Sequence, residues 1–326
     1  MSRHKLLRHI MTGVILSGVF LIGCRAPGTA PPDTLTPAQA RQIPISPTRP
    51  AAKSATPPVV ATALPTPSTS PMAAVKWIDT HTHLAEHVGA SGSAGQPACP
   101  SEECLDRAVV AMDKYGMQMA LVMSPPSARA GSFEVETQLA EAAQSRPDRF
   151  AYLGGGSVLN PLIQQTAHLA SVPTDLQQRF EKAAQRVIEV GAIGFGETAV
   201  LHLSLSESHP FEEAPPDSPL FLLLADIAAQ HDVPIDIHLQ AVLSDMPTPP
   251  QYNRLSTRNP ETLHANIAAF ERLLMHNEKA RIVWAHVGWD NTGDMTVDLV
   301  RQLVEKHSNL YLQMTFHGDR LSLIHI

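Results

Sequence analysis

Positive charge, cysteine and long apolar runs are all scarce in this sequence. Lysine and arginine number 24 against 31 acidic residues, giving a net charge of -7, so no broad basic surface is expected and nucleic acid is not an expected partner. After the N-terminal segment no stretch is apolar for long enough to cross a bilayer. Of the three cysteines, Cys99 and Cys104 stand close together in Cys99-Pro100-Ser101-Glu102-Glu103-Cys104. That loop has too few ligands nearby for a zinc knuckle, and outside the cytoplasm a disulfide pinning it is the favoured reading. A hydrophobic content of 44% over 326 residues suits a soluble globular protein of one large or two ordinary domains.

What is present begins with an address. Arg3, Lys5 and Arg8 form a positive n-region, and the apolar run from Ile10 to Ile22 is too short for a comfortable transmembrane helix. It ends in Leu21-Ile22-Gly23-Cys24, which resembles the lipobox of bacterial lipoproteins. The resemblance implies a signal peptide over 1–23 and lipid on Cys24, which would hold the protein at a membrane without spanning it. The alternative is an ordinary signal peptide with a chance cysteine. Arg25 rather than Asp follows Cys24, so the inner-membrane retention signal of Gram-negative lipoproteins is absent. The expected location is the cell envelope, facing the periplasm or the exterior. Residues 24–73 are dominated by Pro, Ala, Thr and Ser, a composition that denies regular hydrogen bonding and a core, and they read as a disordered tether.

From about residue 74 to 320 short apolar strands alternate with amphipathic helices. Strands are predicted at Lys76–Asp79, Met119–Met123, Phe150–Gly154, Ala192–Gly196, Pro234–Ile237, Ile282–Ala285 and Leu310–Met314. Helices are predicted at Cys104–Tyr115, Glu134–Gln144, Asp175–Val190, Pro219–Gln230, Leu263–His276 and Asp298–Lys306. Solidly apolar strands suit a parallel sheet buried on both faces. Periodicity permits a doubly wound sheet or a barrel. Polar residues at the C-terminal ends of several different strands favour the (β/α)8 (TIM) barrel.

The first strand closes with Trp77-Ile78-Asp79-Thr80-His81-Thr82-His83. Side chains two apart on a strand point the same way, so His81 and His83 can grip one ion together, and neutral imidazole is a common ligand for zinc and similar metals. Glu197 follows Gly194-Phe195-Gly196 at the fourth strand, His238 ends the fifth and His286 ends the sixth. A single histidine in an apolar strand is usually a satisfied core residue. Several strands ending in His or Glu at one layer make that reading hard to sustain.

This order, a His-x-His pair, then Glu, His and His on successive strands, resembles the amidohydrolase superfamily, nearest its amidohydrolase-related and TatD-like branches, from about Val75 to Met314. The resemblance implies a site for one or two divalent ions, zinc by default. His81 and His83 would hold the more buried ion. Glu197 would bridge, in the position a carbamylated lysine fills in other branches, since no lysine falls on the fourth strand. His238 and His286 would bind the second ion, or His286 would orient substrate and water if only one is present. Such ions acidify water and polarise a carbonyl or phosphoryl oxygen. The implied activity is hydrolysis of an ester, lactone, amide or phosphoester of a small molecule. Two alternatives stay open: a single-metal decarboxylase of aromatic acids, and a noncatalytic envelope binding protein that keeps the barrel.

In the family an Asp at the end of strand eight carries the proton to the leaving group, and no such residue can be placed here. His317 and Asp319 come too soon after the seventh strand for a crossover helix to intervene. The final Leu321-Ser322-Leu323-Ile324-His325-Ile326 matches one reading frame of a transposon mosaic end used in DNA library preparation. Residues 321–326 are therefore expected to be adapter-derived, the barrel to lack its eighth strand, and the chain as written to be inactive.

Other residues near the predicted strand ends are candidates for substrate or supporting contacts. His202 and His209 follow the fourth strand, and Trp289, Asp290 and Asn291 follow the sixth. Gly154-Gly155-Gly156 lacks the lysine and immediate helix of a phosphate loop and reads as a tight turn near the site. His87, His168, His231, His264, His276 and His307 fall in helices or early loops and read as surface residues.

Overall fold

The computed structural model describes residues 77–84, 102–127, 129 and 131–314. The expected signal peptide over 1–23, Cys24, the expected tether over 24–73, Cys99, His87, His317, Asp319 and the terminal hexapeptide lie outside the described residues. Within them the element order is β1 (Trp77–Thr82), α1 (Glu102–Tyr115), β2 (Met117–Met123), α2 (Phe133–Ser145), β3 (Phe150–Gly155), α3 (Asn160–Thr166), α4 (Thr174–Glu189), β4 (Phe195–His202), β5 (Glu212–Glu213), α5 (Pro219–His231), β6 (Pro234–Leu239), β7 (Met246–Pro247), α6 (Pro250–Leu255), β8 (Thr262–Leu263), α7 (Ile267–His276), β9 (Arg281–Val287), α8 (Val297–Lys306) and β10 (Leu310–Met314).

Seven strands pair in parallel in the order β1-β2-β3-β4-β6-β9-β10. Neighbours in space are neighbours in sequence, with helices in the crossovers, as in a singly wound barrel rather than a doubly wound sheet. Curvature follows from a single distance. β1 and β9 are five steps apart, roughly 24 Å in a flat sheet at about 4.8 Å per step. The rings of His81 on β1 and His286 on β9 nevertheless lie 4.3 Å apart, so the sheet is rolled into a barrel wall. No eighth parallel strand occurs among the described residues.

Local sequence explains where the elements start and stop. Ser132 caps α2 by accepting the Glu134 N–H at 2.9 Å, and Thr296 caps α8 by accepting from Leu299 at 3.2 Å, each satisfying a first-turn donor. α5 opens with Pro219, whose missing N–H is no loss there, and closes on Asp232 in the left-handed region at φ 53°,. The apolar stripes of the helices pack on the outside of the barrel, with Phe180, Ala184 and Val187 of α4 and Phe221, Leu224 and Ala228 of α5 fully buried. Trp284 on β9 meets Phe270 of α7 edge-on at 5.7 Å and donates its indole N–H to the Leu239 carbonyl at 2.8 Å, so even this large side chain is satisfied.

Three differences from the sequence reading bear on the site. β1 runs on to Thr82, so His81 lies within the strand. β4 begins at Phe195 and extends to His202, beyond the expected end at Gly196, because β6 pairs with it as far as Leu201 and β5 pairs antiparallel with Leu201 and His202. His202, expected to follow the fourth strand, is therefore its last residue. His307, read as a surface residue, is buried beside Glu271 at 3.2 Å. Cys104 is buried and disulfide-bonded.

Candidate metal centre

His81, His83, Glu197, His238 and His286 come together at the C-terminal end of the barrel strands. They form two triads of ligand atoms, His81–His83–Glu197 and Glu197–His238–His286, each with its atoms within 4.8 Å of one another. Glu197 belongs to both. Its Oε2 lies 3.4 Å from His81 Nε2 and 3.1 Å from His83 Nε2. Its Oε1 lies 2.7 Å from His238 Nδ1 and 3.2 Å from His286 Nε2. One carboxylate thus divides its two oxygens between two histidine pairs.

The surroundings fix which way the rings point. The Met123 carbonyl lies 3.0 Å from His83 Nδ1, so it takes the proton on that nitrogen and leaves the Nε2 lone pair facing inward. His81 presents its Nδ1 to Asp236 Oδ1 at 3.3 Å, off the line of a good hydrogen bond, for both atoms lack a bonded partner. His286 adopts φ 59°, a left-handed conformation that costs an ordinary residue energy. Its backbone N–H is held at 2.7 Å by the Gln313 side chain of β10.

Close backbone approach makes the layer possible. A Cβ on Gly196 would sit 2.8 Å from Asp236 Cβ, and one on Gly156 would sit 2.4 Å from the Ser124 carbonyl and 3.0 Å from that of Glu197. Ser124 is itself anchored below the site. Its hydroxyl donates to Glu136, a fully buried carboxylate on α2 that also accepts from the Tyr152 hydroxyl, the Gly155 N–H and both donors of Ser157. Gly154 and Gly155 thus close β3, and only Gly156 lies in the turn beside the site that the sequence suggested for all three.

Charge in this layer is strongly coupled. Burial opposes ionisation of Glu197, yet the His81 charge and hydrogen bonds from His238 and His286 hold it well below the usual carboxylate range,. Burial likewise opposes charge on His81, but Asp236 and Glu197 together hold it well above the ordinary histidine value. Burial, reinforced by the neighbouring His81 charge, pushes His286 down to about 3. Asp236 is raised by burial and only partly relieved by His81.

Of the other candidates, His202 reaches the site. Its ring lies 4.6 Å from that of His238 and 4.5 Å from that of His209, and burial holds it well below its ordinary value. Trp289 lies 6.1 Å from the His286 ring. Asp290 turns back into its own loop, accepting from Thr292 and Gly293. Asn291 accepts from the Tyr252 hydroxyl at 2.5 Å and its N–H donates to Gln240 at 3.1 Å, so these two tie loops together. His264 and His276 lie 3.5 and 3.0 Å from Asp245 and Asp226 at the periphery.

The sequence reading passed over Asp236, Glu136, Gln313 and Glu212. Asp236 had a signal, since it precedes His238 by two on an otherwise apolar strand and must share its face. Glu212 did not: it is buried, accepts from Asn160 at 3.1 Å through one oxygen and leaves the other unbonded. Burial, with the Glu197 charge added, pushes it up to about 8.

No protein-family model matches the chain, and no curated protein matches it in sequence. Among solved structures it is similar to a probable 2-pyrone-4,6-dicarboxylic acid hydrolase of Acinetobacter baumannii, at 12% identity and TM-score 0.34, over 76% of this chain and 86% of that one. It is also similar to an amidohydrolase of Mycobacterium avium subsp. paratuberculosis, at 13% identity and TM-score 0.32, over 66% and 59%. A third is an N-acetyl-D-glucosamine-6-phosphate deacetylase of Mycobacterium smegmatis, at 12% identity and TM-score 0.33, over 73% and 56%. Likenesses this shallow carry no weight for the chemistry, which rests on the residues themselves.

Proposed function

We propose that this chain is a metal-dependent hydrolase of the amidohydrolase type, acting on an ester, lactone, amide or phosphoester of a small molecule. The observation that carries the reading is the division of Glu197 between two histidine pairs.

The donor set fits a metal. In a tetrahedral zinc site with bonds of about 2.0–2.1 Å, two ligand nitrogens stand roughly 3.3 Å apart; the Nε2 atoms of His81 and His83 are 3.3 Å apart. Two imidazoles meeting nitrogen to nitrogen have at most one proton to share unless one is charged, so a cation between them relieves the contact. His81 and His83 would hold one divalent ion, His238 and His286 a second, and Glu197 would bridge. A bound ion supplies Lewis acidity, acidifying a water molecule and polarising the scissile bond.

The chain's own groups do the rest of the positioning. Met123 and Asp236 orient the first histidine pair from behind. The Pro210 carbonyl lies 3.3 Å from His202 Nδ1 and takes its proton, which leaves Nε2 of this neutral ring as an acceptor beside His238. Trp289 walls the His286 side. The same proposal places the protein at the cell envelope, anchored by lipid on Cys24, with zinc as the resident metal.

The test is metal analysis of the purified protein together with a panel of ester, lactone, amide and phosphoester substrates, before and after chelation. About two equivalents of divalent metal, lost on Glu197→Ala along with turnover, support the proposal. One equivalent that survives Glu197→Ala, with carbon dioxide released from aromatic acids, would assign a decarboxylase instead. Tight small-molecule binding with no metal-dependent turnover would make it a binding protein.

A further inference from the structure

A cavity opens among the helices α2, α3 and α4 on the flank of the barrel. It encloses about 320 Å³ between the start of α2, the turn after β3 and the length of α4, a size at the lower end of small-molecule sites. Phe133, Pro161 and Leu162 give it an apolar floor, and Arg179, Lys182 and Arg186 stand along one side.

Glu181 and Glu189 of α4 lie on a stripe with Gln177 and Gln185, from which they accept hydrogen bonds at 3.1 Å. All three cations of the helix line the cavity. Asp175, one turn before Arg179, and Glu189, three residues after Arg186, are the acids nearest to them on the helix surface,. None of the three cations has an ion pair within 4 Å among the described residues, a property they share with Lys114, Arg254, Arg258 and Lys279. The Arg186 guanidinium is stacked 3.8 Å above the Phe133 ring, which holds it in place while leaving its donors available.

Three unpaired cations on one flank, in a chain of net charge -7, repel one another and gain from an anion. The apolar floor adds a second requirement that a bare anion does not meet. The chain's own segment 25–73 is a poor occupant, since it carries one acid, Asp33, against Arg25, Arg41, Arg49 and Lys53.

We propose that this cavity binds a single-chain anionic amphiphile, with a carboxylate or phosphate head against Arg179, Lys182 and Arg186 and an apolar tail over Phe133, Pro161 and Leu162. The proposal is independent of the reaction assigned to the histidine layer.

The experiment is calorimetric titration of the full-length protein with decyl phosphate below its micelle concentration, set against inorganic phosphate and a neutral decyl glycoside. Saturable binding of decyl phosphate is expected, with at least tenfold weaker binding of both controls. The double variant Arg179→Glu/Lys182→Glu changes only exposed side chains, so it should fold as the parent does and retain its metal content, and its affinity for decyl phosphate should fall at least tenfold. Inorganic phosphate binding as tightly as decyl phosphate would overturn the proposal in favour of a plain anion site. Unchanged affinity in the double variant, or no binding of decyl phosphate to the parent, would overturn it outright.

Discussion

Asp236 Oδ1 lies 3.3 Å from His81 Nδ1, on the side of the imidazole ring opposite the nitrogen that faces His83 and Glu197. Both groups are buried to within 1%, so neither has water to orient it. The carboxylate's charge faces the outer edge of the ring and strengthens the inward nitrogen as a donor to metal. Asp236→Asn keeps the shape and removes the charge. Metal affinity measured by competition with a chelator should fall about 10–100-fold, the usual cost of losing such a partner, with the circular dichroism spectrum unchanged. Unaltered affinity would reduce Asp236 to a bystander.

Gln313 acts on the backbone rather than on a ring. Its side chain accepts the His286 N–H at 2.7 Å and so supports a residue held in the left-handed region. Gln313→Leu strands a buried donor and should lower unfolding free energy by about 1–3 kcal/mol in urea titrations. Metal content should drop more than in a surface control variant of equal stability, because His286 loses its conformation as well as its support.

Gly196 is required by the neighbouring strand. A methyl group there would sit 2.8 Å from Asp236 Cβ, with the strand pairing of β4 and β6 on either side to prevent relaxation. Gly196→Ala should destabilise the fold by about 1–3 kcal/mol, and combining it with Asp236→Gly should recover part of that loss. A double-mutant cycle reads the coupling directly.

Glu212 predicts a pH dependence. Its carboxyl is pushed by burial from an ordinary value of 4.5 to about 8. An unfolded chain gives up this proton near 4.5 while the folded chain keeps it, so the folded state binds more protons across that interval and stability falls as pH rises through it. At about 1.4 kcal/mol per unit the total is on the order of a few kcal/mol. Glu212→Gln should therefore unfold at a higher temperature than the parent at pH 8, and the gap should close as pH is lowered toward 4.5. A constant gap would show that the proton is not responsible.

The sequence made the barrel legible because buried parallel strands and amphipathic crossover helices leave strong local patterns. All seven predicted strands and six predicted helices have counterparts in the structure. α3 was not legible: it is a single short stretch with Pro161 in its first turn and no apolar period of its own, fixed by Asn160 bonding to Ala199 and Glu212. The far half of β4 was missed for a related reason, since its partner β5 is two residues long and invisible until the chain is folded. His81, His83, Glu197, His238 and His286 could be chosen because ligand-type residues at strand ends are rare by chance. Asp236 and Glu212 could not be weighted the same way. Their importance comes from burial without full hydrogen bonding, a property of packing that residue type and spacing do not carry.

The 4.3 Å contact between the rings of His81 and His286 joins the first described strand to the last but one, across most of the chain. Any fragment that contains the site must span His81 to His286, and no flat sheet can form it. The order of events in folding is thereby constrained: the ligand layer is assembled only when the last long-range contacts close, among the slowest a chain must make. Cations added during refolding should leave the early phases untouched and act on the late one, so that ligand capture doubles as a clock for the rolling that brings β1 to β9.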